Sequence, residues 1–256
     1  MLESISLDRE LAKKDYKASL PPLQTRLFEL QRACWRGGLA SLLVIEGWDA
    51  SGKGSLIRKF TERLEPRGFD LHYTREARSA EAQLPWMWRF WQRLPAYGRM
   101  AIFDQSWYSR LFRARTEYGA SRAAWRRGIE DIVDFERMLT DDRHVVVKLF
   151  LHFERDEKKK RLEELTADPH ESWKVNDATW KAFEAWNQYV EVISETLAAT
   201  DSAPAPWTLL AATDKRWMRV RAFEAVCAAL ERGLRARELP LPEDLDAAAQ
   251  RSGEDS

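Results

Sequence analysis

The run Leu42-Leu43-Val44-Ile45 is apolar without alternation and stops at Gly47. A strand with one wet face alternates apolar and polar side chains, so this run predicts a strand covered on both faces. Residues 41–46, 69–73, 100–104 and 145–152 all read as short buried strands, and a weaker one, 207–211, follows Pro204 and Pro206. Helical patterns separate them, over 53–64, 81–94, 120–139, 156 to about 199, and roughly 214–235. Strands alternating with helices predict an α/β fold whose parallel sheet is sandwiched between helical layers. Ahead of the first strand, residues 7–36 read as an amphipathic helix with Leu23, Leu27, Leu30 and Cys34 on one face and a break at Pro21-Pro22.

A chain of 256 residues suits one large domain. We expect that domain over 1–239, with 156–200 inserted as a helical lid or, on pattern alone, as an ordinary surface hairpin, and a disordered acidic tail over 240–256. Net charge is zero, so nothing in the whole chain favours nucleic acid or an anionic membrane as partner. No apolar run approaches the ~20 residues that span a bilayer, and Met1 to Lys14 is too charged for a signal peptide. Cys34 and Cys227 are far apart and form no CxxC pair, which fits a reducing cytoplasm. The four histidines show no metal-ligand spacing, and His144 and His152 bracket a strand. The 12 tryptophans, many within 86–91 and 173–186, read as core aromatics.

Function is concentrated after the first strand. Gly47-Trp48-Asp49-Ala50-Ser51-Gly52-Lys53-Gly54-Ser55 joins an apolar strand to a helix start, which is the layout of a phosphate-binding loop. Backbone N–H groups over Gly47, Ala50, Ser51, Gly52, Gly54 and Ser55 can converge on phosphate oxygens, and Lys53 adds a point charge. Two positions are irregular. Gly54 stands where a magnesium-holding hydroxyl is usual, with Ser55 one place late, and Asp49 puts a negative charge inside the turn.

A second apolar strand ends in Asp104, where a carboxylate meets the magnesium bridging two phosphates. Asp49 and Asp104 together could hold that metal; alternatively Asp49 caps the following helix or packs on Lys53. Cations follow: Arg110, Arg113, Arg115, Arg122, Arg126 and Arg127, then Lys158-Lys159-Lys160-Arg161. Either they neutralise crowded phosphate oxygens or they are solvated helix faces.

These residues carry a family likeness. Gly47-x-Asp49-Ala50-x-Gly52-Lys53-Gly54 with Phe103-Asp104-x-Ser106-Trp107-Tyr108 resembles the polyphosphate kinase 2 family. So do Trp88-Arg89-Phe90-Trp91, Asp134-Phe135-Glu136-x-x-Leu139, Trp173-Lys174, Ala205-Pro206-Trp207 and Asp214-Lys215-Arg216, over roughly 8–234. The loop and C-terminal part look most like its polyphosphate:AMP phosphotransferase branch.

The resemblance implies a three-layer α/β/α phosphate-loop fold with a helical lid. It implies a homo-oligomer that uses magnesium and inorganic polyphosphate to phosphorylate a nucleoside mono- or diphosphate, AMP before ADP. Carried over, it assigns Asp49 and Asp104 to the metal, Lys53 to phosphate, and Arg110, Lys160, Arg161 and Lys174 to the polyanion. Gln105 departs from the arginine the family has there, and Ser172 from the arginine usual before Trp-Lys. The segment Lys181-Ala182-Phe183-Glu184-Ala185-Trp186 lacks the family's arginine as well. Losing one preorganised donor costs ~10²–10³ in rate, so these departures predict reduced activity. An ATP-dependent small-molecule kinase and a weakened polyphosphate- or nucleotide-binding protein are the alternatives.

Overall fold

The computed structural model describes residues 2–77 and 79–243. Five strands, β1 (Ala40–Gly47), β2 (Phe69–Tyr73), β3 (Met100–Asp104), β4 (His144–His152) and β5 (Trp207–Ala211), form one sheet. Its order is β2-β3-β1-β4-β5, and each neighbouring pair is parallel. Ten helices accompany them among the described residues: α1 (Lys13–Gly37), α2 (Lys53–Thr61), α3 (Ser79–Ala82), α4 (Trp88–Trp91), α5 (Trp107–Thr116), α6 (Arg122–Asp141), α7 (Arg155–Ala167), α8 (Asp177–Glu184), α9 (Trp186–Thr200) and α10 (Lys215–Ala236). The α/β class and the parallel sheet expected from the apolar runs are what the chain adopts.

The central strands earn their composition. Leu42 to Ile45, Ala101 to Phe103 and Leu149 to Leu151 are all buried, because helices cover both faces. β2 differs from its expectation: Asp70, Leu71 and Tyr73 are exposed, since this strand forms the sheet's edge. The strand order reverses direction between β1 and β3. The chain leaves β1 past β3 to form β2, and leaves β3 past β1 to form β4. Ligands of open α/β sheets settle in the crevice beyond the strand ends at such a point.

Three helical expectations need correction. The break at Pro21-Pro22 does not occur; α1 runs through both prolines and its first residue is Lys13, not Leu7. Each interior proline costs ~3 kcal/mol of helix stability. Burial of Leu20, Leu27, Leu30 and Cys34 as α1 packs along α10 offsets that cost. Residues 81–94 form two single-turn helices, not one long one. The helix α5 was not foreseen. It starts at Ser106, whose hydroxyl accepts from Tyr108 N at 3.2 Å as an N-cap.

Tryptophans at 48, 107, 125, 186 and 207 are core, but Trp88, Trp91 and Trp173 are exposed, Trp173 by 77%. Trp173 sits on a 3-10 turn with its indole N–H on His170 O at 3.0 Å, so no core reaches it. Of the tail expected over 240–256, residues 244–256 lie outside the described residues. Its described start packs on the domain: Leu241 lies against the core and Glu243 pairs with Arg26 at 2.7 Å.

One buried polar cluster lies within the core. Lys148, in the middle of β4 and fully buried, donates to Glu136 Oε2 at 2.7 Å and to Thr200 O at 2.6 Å. Glu136 Oε1 also accepts from Tyr108 Oη at 2.7 Å and Trp107 Nε1 at 3.1 Å. The cluster ties β4, α5 and α6 to the end of α9.

Candidate active site

The loop over 47–55 owes its shape to glycine. Gly47 has φ +142°, and a Cβ there would lie 2.5 Å from Leu151 O on β4, so no side chain fits. Gly52 is left-handed at φ +95° and starts α2. Ala50 shares that region at φ +62°, a conformation that costs an L-residue roughly 1–2 kcal/mol. Lys53 Nζ bridges the turn, donating to Gly47 O at 2.9 Å and Trp48 O at 3.0 Å. Ser55 Oγ donates to Gly52 O at 2.9 Å and accepts from Arg219 at 3.3 Å, so the late hydroxyl serves the loop's own backbone. Gly54 faces open space, and a side chain at 54 would meet nothing within 4 Å. The absent hydroxyl at 54 is therefore not a steric requirement.

Asp104 closes β3, in register with Ile45 of β1 and Tyr73 of β2. It stands at the point where strand order reverses. Burial pushes its carboxyl above the usual range, against the pull of the Lys53 ammonium. Its Oδ1 is enclosed and has no hydrogen-bond partner. An enclosed carboxylate oxygen without a donor is costly in a finished structure, and its chemistry suits a hydrogen-bond donor or a hard cation. Asp49 is half exposed, and Lys158 Nζ lies 3.8 Å from its Oδ2.

Glu46 was missed as a site residue. At the end of β1 it is fully buried: Oε1 accepts from Ser106 N (2.8 Å), Ser106 Oγ (2.7 Å) and Ser109 N (3.2 Å), and Oε2 from Ser109 Oγ (2.6 Å). Burial raises its carboxyl, while those hydrogen bonds and Lys53 oppose the shift. Glu46 thereby anchors the start of α5 beside Asp104. A glutamate closing an apolar run was the available signal.

Beyond Asp104, on the side away from the loop, a cavity of about 270 Å³ opens between the ends of β2 and β3 and α5. Gln105, Arg89, Arg110 and Arg113 line it. Gln105 has φ +62°, held by its N–H on Ile45 O at 3.2 Å. Arg89 is buried with Glu81 at 3.5 Å and an Nε that has no partner. Arg110 lies 5.7 Å over the Trp86 ring. Arg113 pairs with Glu76 at 2.7 Å and Glu117 at 3.0 Å.

The expected cations of α7 divide. Arg161 is buried and donates to Ala50 O (3.2 Å), Ala212 O (2.7 Å) and Thr213 O (3.0 Å), with Glu157 at 2.6 Å. It braces the loop against the end of β5 and does not line an open channel. Lys160 is exposed, and Lys174 pairs with Glu171 beside the Trp173 ring. Four consecutive cations on a helix spread around its circumference at about 100° per residue, so only the i, i+3 pair Lys158 and Arg161 turns inward. Among the described residues no cluster of three or more metal-ligating His, Cys, Asp or Glu exists, and both cysteines are free and buried with thiols pushed up to about 12.

Comparisons with known proteins agree on one group. A family model described as Polyphosphate kinase 2 matches residues 10–237. A polyphosphate:AMP phosphotransferase of Pseudomonas syringae pv. tomato is 35% identical over 232 residues, 91% of this chain and 47% of that one. An NDP-polyphosphate phosphotransferase 3 of Ruegeria pomeroyi is 31% identical over 224 residues, 88% of this chain and 74% of that one. The crystal structure of polyphosphate kinase 2 from Arthrobacter aurescens TC1 superposes with a TM-score of 0.87, at 28% identity, covering 98% of this chain and 91% of that one. The chain spans about half the length of the polyphosphate:AMP phosphotransferases it matches, 47% in the Pseudomonas syringae case.

Proposed function

The chain belongs to the polyphosphate kinase 2 family, and from that premise we propose that it moves a phosphoryl group from inorganic polyphosphate to AMP or ADP. One observation carries the reading. Asp104, with an enclosed oxygen lacking a partner, stands between the glycine-rich loop on one side and the cavity lined by Arg89, Arg110 and Arg113 on the other. Two phosphate-bearing substrates, one at each site, meet at that carboxylate.

The transfer needs little covalent chemistry from the protein. An oxygen of the acceptor's terminal phosphate attacks the end phosphorus of the chain; the new P–O bond forms as the old bridging bond breaks. The leaving electron pair stays on the shortened polyphosphate. Loop N–H groups and Lys53 orient one set of oxygens, and the arginines hold the other and keep the two phosphates from repelling apart. Glu46 keeps α5, and with it Arg110 and Arg113, in position. Magnesium fits the donor set: Asp104 Oδ1 lacks a partner, and Asp49 presents a half-exposed carboxylate to the loop. When bound it would neutralise charge on the reacting phosphates. The helical segment α7 to α9 is read as a lid over both sites. A homo-oligomer and a cytoplasmic setting belong to the same reading, and no helix among the described residues is long and apolar enough to cross a membrane.

Purified protein supplied with polyphosphate, magnesium and AMP, ADP or GDP in turn should form the next higher nucleotide. Product from ATP but never from polyphosphate would move the assignment to an ATP-dependent kinase. No product under any combination, beside an active relative, would leave only a binding role.

A further inference from the structure

Lys158 is the cation of α7 that reaches the phosphate loop, and its setting is unusual for a lysine. Its side chain is 2% exposed. The ammonium lies 5.3 Å from the Trp48 ring centroid and 5.7 Å from that of Trp186. Those two indoles stack on each other with centroids 4.0 Å apart and planes 28° from parallel. Trp48 belongs to the loop and is fixed by its indole N–H on His152 Nδ1 at 2.9 Å. Trp186 opens α9, directly after the break at Ala185. The lysine thus joins the loop to the first turn of α7 and the first turn of α9.

Indole faces attract an ammonium but accept no strong hydrogen bond from it. The carboxylate of Asp49 is its ion-pair partner, at 3.8 Å. That distance exceeds a normal N–H···O contact, so charge, not a fixed hydrogen bond, relates the two. Lys53, the other cation facing Lys158, repels it. Asp49 is therefore the group that compensates a buried charge, and any second cation drawn to Asp49 must share that carboxylate with Lys158. Linkage makes the sharing reciprocal: whatever Lys158 subtracts from the affinity of an incoming cation, that cation subtracts from the hold of Lys158 on the loop.

We propose that Lys158 is a positioning residue acting through Asp49, a tethered counter-ion that holds the loop carboxylate and competes for it with the divalent cation. The inference rests on the reading of Asp49 as a metal ligand. It also gives the α7–α9 segment a means of sensing metal: filling the site loosens the ion pair that pins α7 to the loop.

Manganese alone, added to the full chain and followed by the loss of its free-ion electron paramagnetic resonance signal, tests this without turnover. Lys158→Met keeps the stem between the indoles and removes the charge. It should tighten manganese binding about 10-fold, the order expected when a like charge within ~4–6 Å is removed. Lys158→Arg keeps the charge and should stay within about 3-fold of the parent. Asp49→Asn should weaken binding, and adding Lys158→Met to it should give a much smaller shift than in the parent, as coupled groups do in a double-mutant cycle. Lys158→Gln is read the same way if the methionine variant does not fold. Unchanged or weaker binding in the neutral variants, with Asp49→Asn still impaired, overturns the role of Lys158 alone. A full-size shift retained in the Asp49→Asn chain also overturns it, since the effect would not pass through Asp49. Unchanged binding in Asp49→Asn overturns the ligand reading and the proposal together.

Discussion

Glu136, fully buried, and Asp104, half-buried with one oxygen enclosed, are carboxylates whose protonation is favoured by desolvation, yet they are finished to different degrees. Glu136 has both oxygens engaged, by Lys148, Tyr108 and Trp107. Asp104 has an enclosed oxygen that nothing in the protein satisfies. A saturated cluster has no capacity left for a ligand, so it holds elements together. On the proposed reading, the unsaturated one beside the glycine-rich loop would keep a coordination position in reserve. The difference separates architecture from chemistry in two groups that composition alone would treat alike.

The comparison breaks first under Asp104→Asn. The shape is kept and the charge removed, so turnover should fall ~10³-fold while the melting temperature does not drop below the parent's, measured by nucleotide assay and calorimetry. Glu136→Gln should do the reverse, leaving Lys148 buried without its counter-charge at a cost of about 3–5 kcal/mol in denaturant unfolding, with activity per folded molecule retained. If Asp104→Asn unfolds the protein or Glu136→Gln stops turnover in folded protein, the division of roles is wrong.

Gln105→Arg comes next. The cavity it lines already contains Arg75, Arg89, Arg110 and Arg113. A fifth guanidinium should therefore raise turnover by ~10-fold or less, below the ~10²–10³ that one preorganised donor supplies where none stands in for it. A gain of several hundredfold would mean the existing arginines are not aimed at substrate.

The pH dependence sharpens the contrast further. The carboxyl of Asp104 is raised on folding, so its contribution to stability is full below the unfolded-state value and is lost as pH rises through the folded one. Without metal, Asp104→Asn should match the parent in melting temperature at acid pH and exceed it increasingly toward neutrality. A difference that does not vary with pH would remove the desolvation argument. The smallest effect is expected from Gly54→Ser. The site is open, and replacing a helix glycine there should add a few tenths of a kcal/mol of stability, read from chemical denaturation.

Much of this was legible because apolar runs and punctuation coincide. β2, β3 and β5 begin and end where their runs do, and Gly47 and Asp104 mark strand ends with residues whose chemistry explains their place. What escaped depends on facts no window of sequence contains. Pro21-Pro22 reads as a break until α10 is known to lie alongside. The helix α5 begins at a cap that Glu46 organises from sixty residues upstream in the chain. Choosing Lys158 over Lys160 as the inward cation needs the rotation of α7, which follows from where that helix starts and what packs beneath it. Lys148 was a visible anomaly in an apolar strand, but its partners lie on three other elements.

The stack of Trp48 on Trp186 bears on how such a protein can be altered. A phosphate loop is often regarded as a portable cassette, defined by its glycines and lysine. Here its second residue is half of an aromatic joint whose other half lies 138 positions later, with Lys158 packed against both rings. Moving this loop into another scaffold, or borrowing a loop from one, without residues 158 and 186 would leave the joint unmatched. The unit of exchange, in evolution or in the laboratory, is the loop together with the helices that close on it.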